Sequence, residues 1–249
     1  MPDISFGATR HTSRTAVAGC FLAVVAAALV LGGYAGLTMQ KLALAPGFKL
    51  FLAGIALSVL ALLLSLVGWR QTRAARGRGL AWAGIIISLL LVAPMLPHII
   101  AAFTVPPIHD ITTDTDNPPA FVDILPLRAD APNAAEYGGE TLAAMQKAAY
   151  PEIAPLLLLN MPPAEAFALA EMLVQRRGWT VAASVPAEGR IEATAQTRMM
   201  RFQDDVVIRI TPTDAGSRID MRSVSRFGKS DLGVNAKRIR EFLADLGGL

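Results

Sequence analysis

Residues 108–119 gather side chains whose types suit chemistry. They include His109 and three carboxylates, Asp110, Asp114 and Asp116, together with the hydroxyls of three threonines. Oxygen ligands at this density suit a hard cation such as calcium or magnesium. The spacing matches no EF-hand loop, however, and aspartate, threonine and asparagine before proline also build Asx and Thr turns. The pattern favours structural turns and keeps a cation site as the alternative.

His109 beside Asp110 could form half of a catalytic dyad. A histidine activates a nucleophile when the two side chains lie within hydrogen-bond reach, and no spacing in the sequence marks such a nucleophile. A hydrolase that uses His109 with Asp110, Asp114 and Asp116 therefore depends on what the fold brings together.

Cations in the carboxy-terminal part form a second group of candidate ligand-binding residues. Apolar and polar residues alternate along the predicted strands, which places Arg209 and Arg222 on the polar face of a sheet. The default interpretation is a solvated face with paired charges, and the alternative is a concave site for an anionic or sugar-like ligand. Arg226, Lys229 and Arg238 lie near the start of the last helix, where they could hold an anion.

Motif and charge exclude two classes of ligand. Residues 228–230 read Gly-Lys-Ser like the end of a P-loop, but Ser223 stands where the first glycine of that motif would be, so we expect no nucleotide site. Residues 1–104 carry eight Lys or Arg and one acidic residue, whereas residues 105–249 carry 15 and 19. The later part is therefore acidic, and phosphate backbones would repel it, which argues against nucleic acid.

Three apolar stretches precede these candidate sites, at about residues 17–37, 50–69 and 80–103. Each has about 20 residues or more without a charged side chain, which is enough for a helix to cross about 30 Å of hydrocarbon. We therefore expect a three-helix transmembrane region over residues 1–104. Pro94 and Pro97 should bend the third helix near its outer end.

The distribution of cations predicts the orientation of this region. The loop between the first two stretches offers only Lys41 and Lys49. The opposite side receives six arginines, which are Arg10, Arg14, Arg70, Arg73, Arg76 and Arg78. Because the side richer in Lys and Arg stays in the cytoplasm, we expect a cytoplasmic amino terminus. Three crossings then place the chain after residue 104 on the far side, the periplasm of a Gram-negative cell with this protein in its inner membrane.

Small residues in the first stretch bear on association. Gly32 and Gly36 form a G-x-x-x-G pattern, which permits close helix approach. Packing within the three-helix unit is the simpler interpretation, and a homodimer through Gly32 and Gly36 is the alternative. Cys20 is the only cysteine, so the chain has neither an intramolecular disulfide nor a cysteine-based zinc site.

The remainder of the chain predicts an acidic arm followed by an α+β domain. Ten of the 16 prolines lie in residues 105–163, so residues 105–162 should form an arm that wraps the domain, with one short helix near 141–149. Periodicity over residues 163–249 predicts a four-stranded antiparallel sheet covered on one face by helices. The strands are expected at 179–185, 190–198, 205–211 and 217–225, and the helices at 163–178 and 235–247.

Opposite charges should attach the arm to the domain. The arm is acidic and the last third of the chain is basic, so the two attract each other. We predict that Asp110, Asp114 or Asp116 contacts one of four cations, namely Arg222, Arg226, Lys229 and Arg238.

Several segments together resemble a known family. They are Ile108-His109-Asp110-Ile111-Thr112-Thr113-Asp114 with Pro118-Pro119-Ala120-Phe121, then Gly189-Arg190-Ile191-Glu192-Ala193, Phe202-Gln203-Asp204-Asp205-Val206-Val207-Ile208-Arg209, and Arg222-Ser223-Val224-Ser225-Arg226 running to Arg238. The combination resembles the domain of unknown function 1499 family over about residues 105–247. The resemblance implies a bacterial envelope or membrane-attached protein and carries no catalytic residue with it.

These observations lead to two expectations about function. We expect a membrane-anchored envelope module without enzymatic activity or cofactor, which binds a protein partner or an anionic glycan or lipid headgroup. The alternative is an envelope hydrolase that uses His109 and the cluster of Asp110, Asp114 and Asp116, with or without a divalent cation. Lipid transfer would require an apolar cavity between sheet and helices.

Overall fold

The computed structural model describes residues 11–73, 75–197 and 200–248, so Arg10 and the predicted strand end at residue 198 lie outside the described residues. The chain forms two compact units, which divide between Pro97 and His98. The first unit contains α1 (Arg14–Thr38), α2 (Leu44–Gln71) and α3 (Arg78–Val92). A 3₁₀ turn at Ala93–Met95 then leads into α4 (Leu96–Thr104).

Three helical segments are long and apolar enough to cross a membrane, as predicted. They are Arg14–Thr38, Leu44–Gln71 and Arg78–Thr104, with mean hydropathies of 2.4, 2.8 and 2.3. Pro94 lies in the 3₁₀ turn of the third segment. Because proline lacks the N–H that an α-helix needs, the regular helix is interrupted there.

Small residues at heptad spacing pack α1 against α2. The buried positions of α1 are Ala16, Gly19, Ala23, Ala26, Val30, Gly33 and Leu37. Those of α2 are Gly47, Phe51, Gly54, Ser58, Ala61, Ser65 and Gly68. Both sets alternate steps of three and four residues, the repeat that keeps one seam facing a partner helix. The seam uses Gly33, while Gly32 beside it is exposed.

The second unit contains a six-stranded sheet. The prediction of four strands was therefore two strands short. The four predicted strands are β3 (Thr180–Val185), β4 (Arg190–Gln196), β5 (Gln203–Thr213) and β6 (Gly216–Ser225). The two additional strands come from the arm, β1 (Asp110–Thr112) and β2 (Leu156–Leu159). Both pair antiparallel with β6, on the edge that β5 leaves free.

Two helices cover one face of this sheet. They are α6 (Pro163–Arg176) and α7 (Val234–Gly247), while the arm helix α5 spans Gly139–Ala149. The core between them includes Ile191, Ile208, Ile219 and Phe242, all fully buried. The predicted alternation is therefore right for β4 to β6. In β3 the alternation predicts a buried Val181, but Val181 is 38% exposed, and the pairing of β3 with β4 shifts register between Val181 and Ala183.

Candidate functional site

The polar face of the sheet, opposite α6 and α7, is buried under the arm. Glu192 and Asp205 are completely buried, and Asp220 and Arg222 are 1% and 3% exposed. Phe121 and Ile124 of the arm pack there against Val207 and Val224. The default prediction of a solvated face was therefore wrong. Alternation separates polar from apolar residues, but it cannot reveal that a second polar layer will cover the charges.

Arg222 links the arm to the sheet. Its Nε donates to Asp110 Oδ1 at 2.9 Å and its Nη2 donates to Asp110 Oδ2 at 2.7 Å, a bidentate pair. The Nη2 atom also donates to the carbonyl of Ala135 at 2.7 Å. The guanidinium lies over the rings of Phe121 and Tyr137, 5.0 and 5.4 Å from their centroids. The prediction that opposite charges dock the arm is confirmed.

Asp114 is divided between an internal turn and two arginines. Its Oδ1 accepts from the backbone N–H groups of Asp116 and Asn117 at 3.2 and 2.9 Å, which is an Asx turn. Its Oδ2 accepts from Arg218 at 2.8 Å and from Arg209 at 3.3 Å. Asp116 instead pairs with Lys147 at the surface. Both carboxylates therefore have structural partners.

Asp205 is the buried acceptor at the centre of the polar layer. Arg226 donates to both of its oxygens at 2.8 Å, and Arg128 of the arm donates to Oδ2 at 3.1 Å. Thr194 supplies a further donor at 2.8 Å. Burial lowers the pKa of Arg128 from its ordinary value, and the adjacent Asp205 opposes that shift. One carboxylate thus fixes two arginines from different segments.

Glu192 anchors the arm through its backbone. Its two oxygens accept from the N–H groups of Val122 and Ile124, each at 2.8 Å. Arg190 makes a short contact with the same carboxylate. A completely buried charge is tolerated when donors surround it. Glu192 therefore fixes the course of the arm between Phe121 and Ile124, the two apolar arm residues that are buried against the sheet.

The five cations predicted to bind a ligand do not share one face. Arg209, Arg222 and Arg226 lie under the arm, whereas Arg238 lies on the helix side, where its Nη2 donates to Asp204 at 2.5 Å. Lys229 is exposed, and no carboxylate of the described residues pairs with it. The proposed anion site remains a prediction, and four of its five members have structural partners.

His109 contributes mainly through its backbone. Its carbonyl accepts from the N–H of Ser225 at 2.9 Å and from Asn235 Nδ2 at 3.1 Å. Its ring Nδ1 lies 3.4 Å from the carbonyl oxygen of Lys229. Within residues 11–73, 75–197 and 200–248, no three His, Cys, Asp or Glu side chains converge as a metal site would require.

The arm presents a surface that the sequence did not single out. Two hollows of about 560 and 320 Å³ share Pro118 and Tyr137 in their linings. Among the described residues, none forms a hydrogen bond with the buried hydroxyl of Tyr137, and burial raises the pKa of Tyr137 to about 12. Leu125 lines the smaller hollow and is exposed, as are Val122 and Leu127 of the same segment. The sequence offers a partial signal, because six of the seven residues at 121–127 are apolar, but it does not distinguish those that face inward from those that are exposed.

Comparison with known proteins identifies the second unit. The family described as "Protein of unknown function (DUF1499)" matches residues 110–246, more than half of the chain. Among curated proteins, none matches the chain. The matched segment begins at Asp110 and includes Arg222, so it contains both members of the pair that docks the arm. The resemblance inferred from the sequence is confirmed, and the chain belongs to the DUF1499 family.

Proposed function

We propose that this protein is a membrane-anchored, non-enzymatic module that binds a protein partner through the exposed apolar surface of its arm. The observation that carries the proposal is a contrast within the arm. Its charged groups near the sheet are used in structural pairs, whereas Val122, Leu125 and Leu127 are 50, 42 and 59% exposed. Exposed apolar side chains in one short segment, of which Leu125 lines a hollow, are typical of a surface that binds another protein.

The charges of this region favour a protein over an anionic glycan or lipid headgroup. An anion would require free cations, but Arg222 already pairs with Asp110 and Arg209 with Asp114 and Asp220. Asp116, Glu136 and Glu140 line the hollows, and the two cations in the described linings, Lys147 and Arg222, already pair with carboxylates. An apolar contact surrounded by polar groups is the anatomy of a protein interface.

The hydrolase hypothesis receives less support from the geometry. Both oxygens of Asp110 accept from Arg222, and both oxygens of Asp114 have donors. A general base needs a free lone pair directed at the substrate proton. Of the four residues of that hypothesis, Asp116 and the ring of His109 are the more accessible pair.

We further propose a location in the inner membrane of a Gram-negative cell, with the domain in the periplasm. The support is the excess of arginine at one end of the helical unit, together with an odd number of membrane-spanning segments. A periplasmic domain would meet envelope proteins as its partners.

Site-specific photocrosslinking of the full chain in its native membrane tests the binding proposal. A photoreactive residue at position 125 or 127 should give a discrete adduct with one protein, and the same residue at position 157 or 159 should not. Leu157 and Leu159 are the matched control, since they are 60 and 69% exposed in β2, a segment of the arm that lines neither hollow. Leu125→Ser with Leu127→Ser should abolish co-purification of that protein, and Leu157→Ser with Leu159→Ser should preserve it.

Two outcomes would contradict the proposal. Adducts of equal yield from both pairs of positions, or from neither, would show that the arm surface does not select a protein. A hydrolytic activity of the full chain that is lost in both His109→Ala and Asp116→Asn would establish the enzyme instead.

A further inference from the structure

The end of the helical unit that contains the α2–α3 connection is dense in arginine. Arg70, Arg73, Arg76 and Arg78 lie within nine residues, and all four side chains are exposed. Arg14, the first residue of α1, lies at the same end. Five cations thus occupy one end of a three-helix unit.

Backbone contacts hold this end in place. The N–H of Ser13 donates to the carbonyl of Arg76 at 3.0 Å, and the N–H of Arg76 donates to the carbonyl of His11 at 3.1 Å. Gln71 Oε1 accepts from the hydroxyls of Ser13 and Thr15 at 2.9 and 2.7 Å. The connection is therefore tied to the start of α1, and an anion that binds there meets a preorganised backbone.

Asp3 is the one acidic residue in the sequence of this unit, so the unit cannot neutralise these five arginines. The sequence contains no aspartate or glutamate from residue 4 to residue 109. Five cations close together repel one another, and the repulsion is strongest where water is partly excluded, as it is beside a membrane. The compensating anion must therefore come from outside the unit.

The position of the cluster along the helices indicates which anion is available. Trp69 directly precedes Arg70, and its ring meets that of Trp82 edge to face, with centroids 5.8 Å apart. Tryptophan is enriched at the level of the lipid headgroups. The planar guanidinium group also matches the geometry of phosphate oxygens better than an ammonium group does.

We propose that this arginine end binds the phosphate groups of acidic phospholipids. The opposite end of α1 and α2 carries Lys41 and Lys49 instead, so the preference belongs to one end of the unit. The site is independent of the arm surface and of its protein partner.

Native mass spectrometry of the full chain in a non-ionic detergent tests this site. Phosphatidylglycerol and phosphatidylcholine with the same acyl chains are titrated separately, and we expect phosphatidylglycerol to be retained more tightly. Arg73→Gln with Arg76→Gln should weaken its retention by about fivefold for each arginine removed, since one cation near an acidic surface contributes that much. The retention of phosphatidylcholine should stay the same.

Lys41→Gln with Lys49→Gln is the matched control and should retain phosphatidylglycerol like the parent. Arg73→Lys with Arg76→Lys keeps the charge and removes the planar fork, so its retention should lie between those of the parent and the glutamine variant. The melting temperature of each variant in neutral detergent verifies its fold, and the lysine variant carries the test if the glutamine variant unfolds.

Three results would overturn the proposal. The first is equal retention of the two lipids by the parent chain, and the second is an equal loss in the Lys41 and Lys49 variant. The third is displacement of phosphatidylglycerol by inorganic phosphate at equal concentration, because that would identify a site for a soluble anion.

Discussion

Arg222 combines three interactions that fix the arm to the sheet. It forms a bidentate pair with Asp110, donates to a backbone carbonyl and stacks on two aromatic rings. Arginine suits this position because its planar group can bind in its own plane and stack above and below it. Tyr137 and Phe121 thus keep the pair dry, which makes each partner dependent on the other.

Asp110→Asn should destabilise the domain strongly. The side chains of Arg222 and Asp110 are 3% and 5% exposed, and loss of one partner leaves a buried charge uncompensated. We expect the free energy of unfolding, measured by urea titration of the full chain in detergent, to fall by about 3–5 kcal/mol. Asp110→Asn with Arg222→Gln should recover part of that loss, since no lone charge remains.

Asp116→Asn provides the control for that measurement. Its partner Lys147 and Asp116 itself are 61% and 88% exposed, so the pair is screened by water. The substitution should change the free energy of unfolding by about 1 kcal/mol or less. If Asp110→Asn costs no more than Asp116→Asn, the arm is not held by its buried ion pair.

At the scale of elements, the side chain of Asp231 caps the first turn of α7 from outside the N-cap position, which Gly233 occupies. Its carboxylate accepts from the N–H groups of Gly233 and Asn235 at 2.8 and 2.9 Å. Burial raises the pKa of Asp231 above its ordinary value of 3.8, although these hydrogen bonds oppose the shift. The cap therefore satisfies two backbone groups with a carboxylate that is partly deprived of water.

The raised pKa predicts the sign of a pH effect. Between pH 3.8 and the raised pKa, the folded state holds the proton and the unfolded state has lost it. The contribution of Asp231 to the free energy of unfolding therefore falls as the pH rises through this window, and it is constant above the raised pKa. Asp231→Asn cannot titrate, so its stability relative to the parent should rise over the same window.

Urea unfolding of the parent and Asp231→Asn from pH 4 to pH 8 measures this difference. Taking the difference between the two proteins cancels the contributions of the other carboxylates. An offset that is constant with pH, or one that slopes the other way, would show that the buried carboxylate does not titrate as its surroundings indicate.

In the membrane unit, neighbouring glycines should respond differently to alanine. A Cβ at Gly33 would lie 2.8 Å from the N of Phe51 and 2.9 Å from the carbonyl oxygen of Gly47, whereas a Cβ at Gly32 would have Leu50 Cδ2 at 4.0 Å. Gly33→Ala must therefore separate α1 from α2, and we expect it to cost about 1–3 kcal/mol. Gly32→Ala should stay within about 0.5 kcal/mol of the parent. Thermal unfolding in detergent compares them, and equal melting temperatures would contradict the packing described for the seam.

The elements that could be predicted from sequence are those long enough to show a period. The three apolar helices, α6, α7 and the strands β3 to β6 each contain enough positions for a repeat of 3.6 or 2 residues to appear. The strands β1 and β2 have only three and four residues. The sequence of β2 is Leu-Leu-Leu-Leu, which shows no alternation of apolar and polar residues. Both form only because β6 offers a free edge, which is a property of the tertiary fold.

The candidate site was predictable in its contacts but not in its exposure. Opposite charges correctly predicted that Asp110 or a neighbour would meet an arginine. The burial of Glu192 and Asp205 could not be predicted, because it depends on where a proline-rich arm with no repeat comes to rest. For the same reason, the sequence could not show that Leu125 and Leu127 are exposed while their apolar neighbour Ile124 is buried.

At the scale of the whole molecule, the proposed role of the domain depends on which side of the membrane the domain occupies. In the proposed topology, the third segment, Arg78–Thr104, crosses the membrane between the α2–α3 connection and the domain, so the two would lie on opposite sides. The arginines of that connection should keep it in the cytoplasm. The sole cysteine, Cys20, can be replaced by serine, so that one new cysteine reports the side on which it lies.

Cysteine labelling in this background tests the orientation directly. Ala187→Cys, in the exposed turn between β3 and β4, should react with a membrane-impermeant maleimide in cells whose outer membrane alone is permeabilised. Ala75→Cys, in the arginine connection, should react only after the inner membrane is opened as well. The reverse pattern would place the domain in the cytoplasm and remove the basis for an envelope partner. Labelling at both positions while the inner membrane is closed would mean that the third segment does not cross, since it is the one candidate span between the two sites.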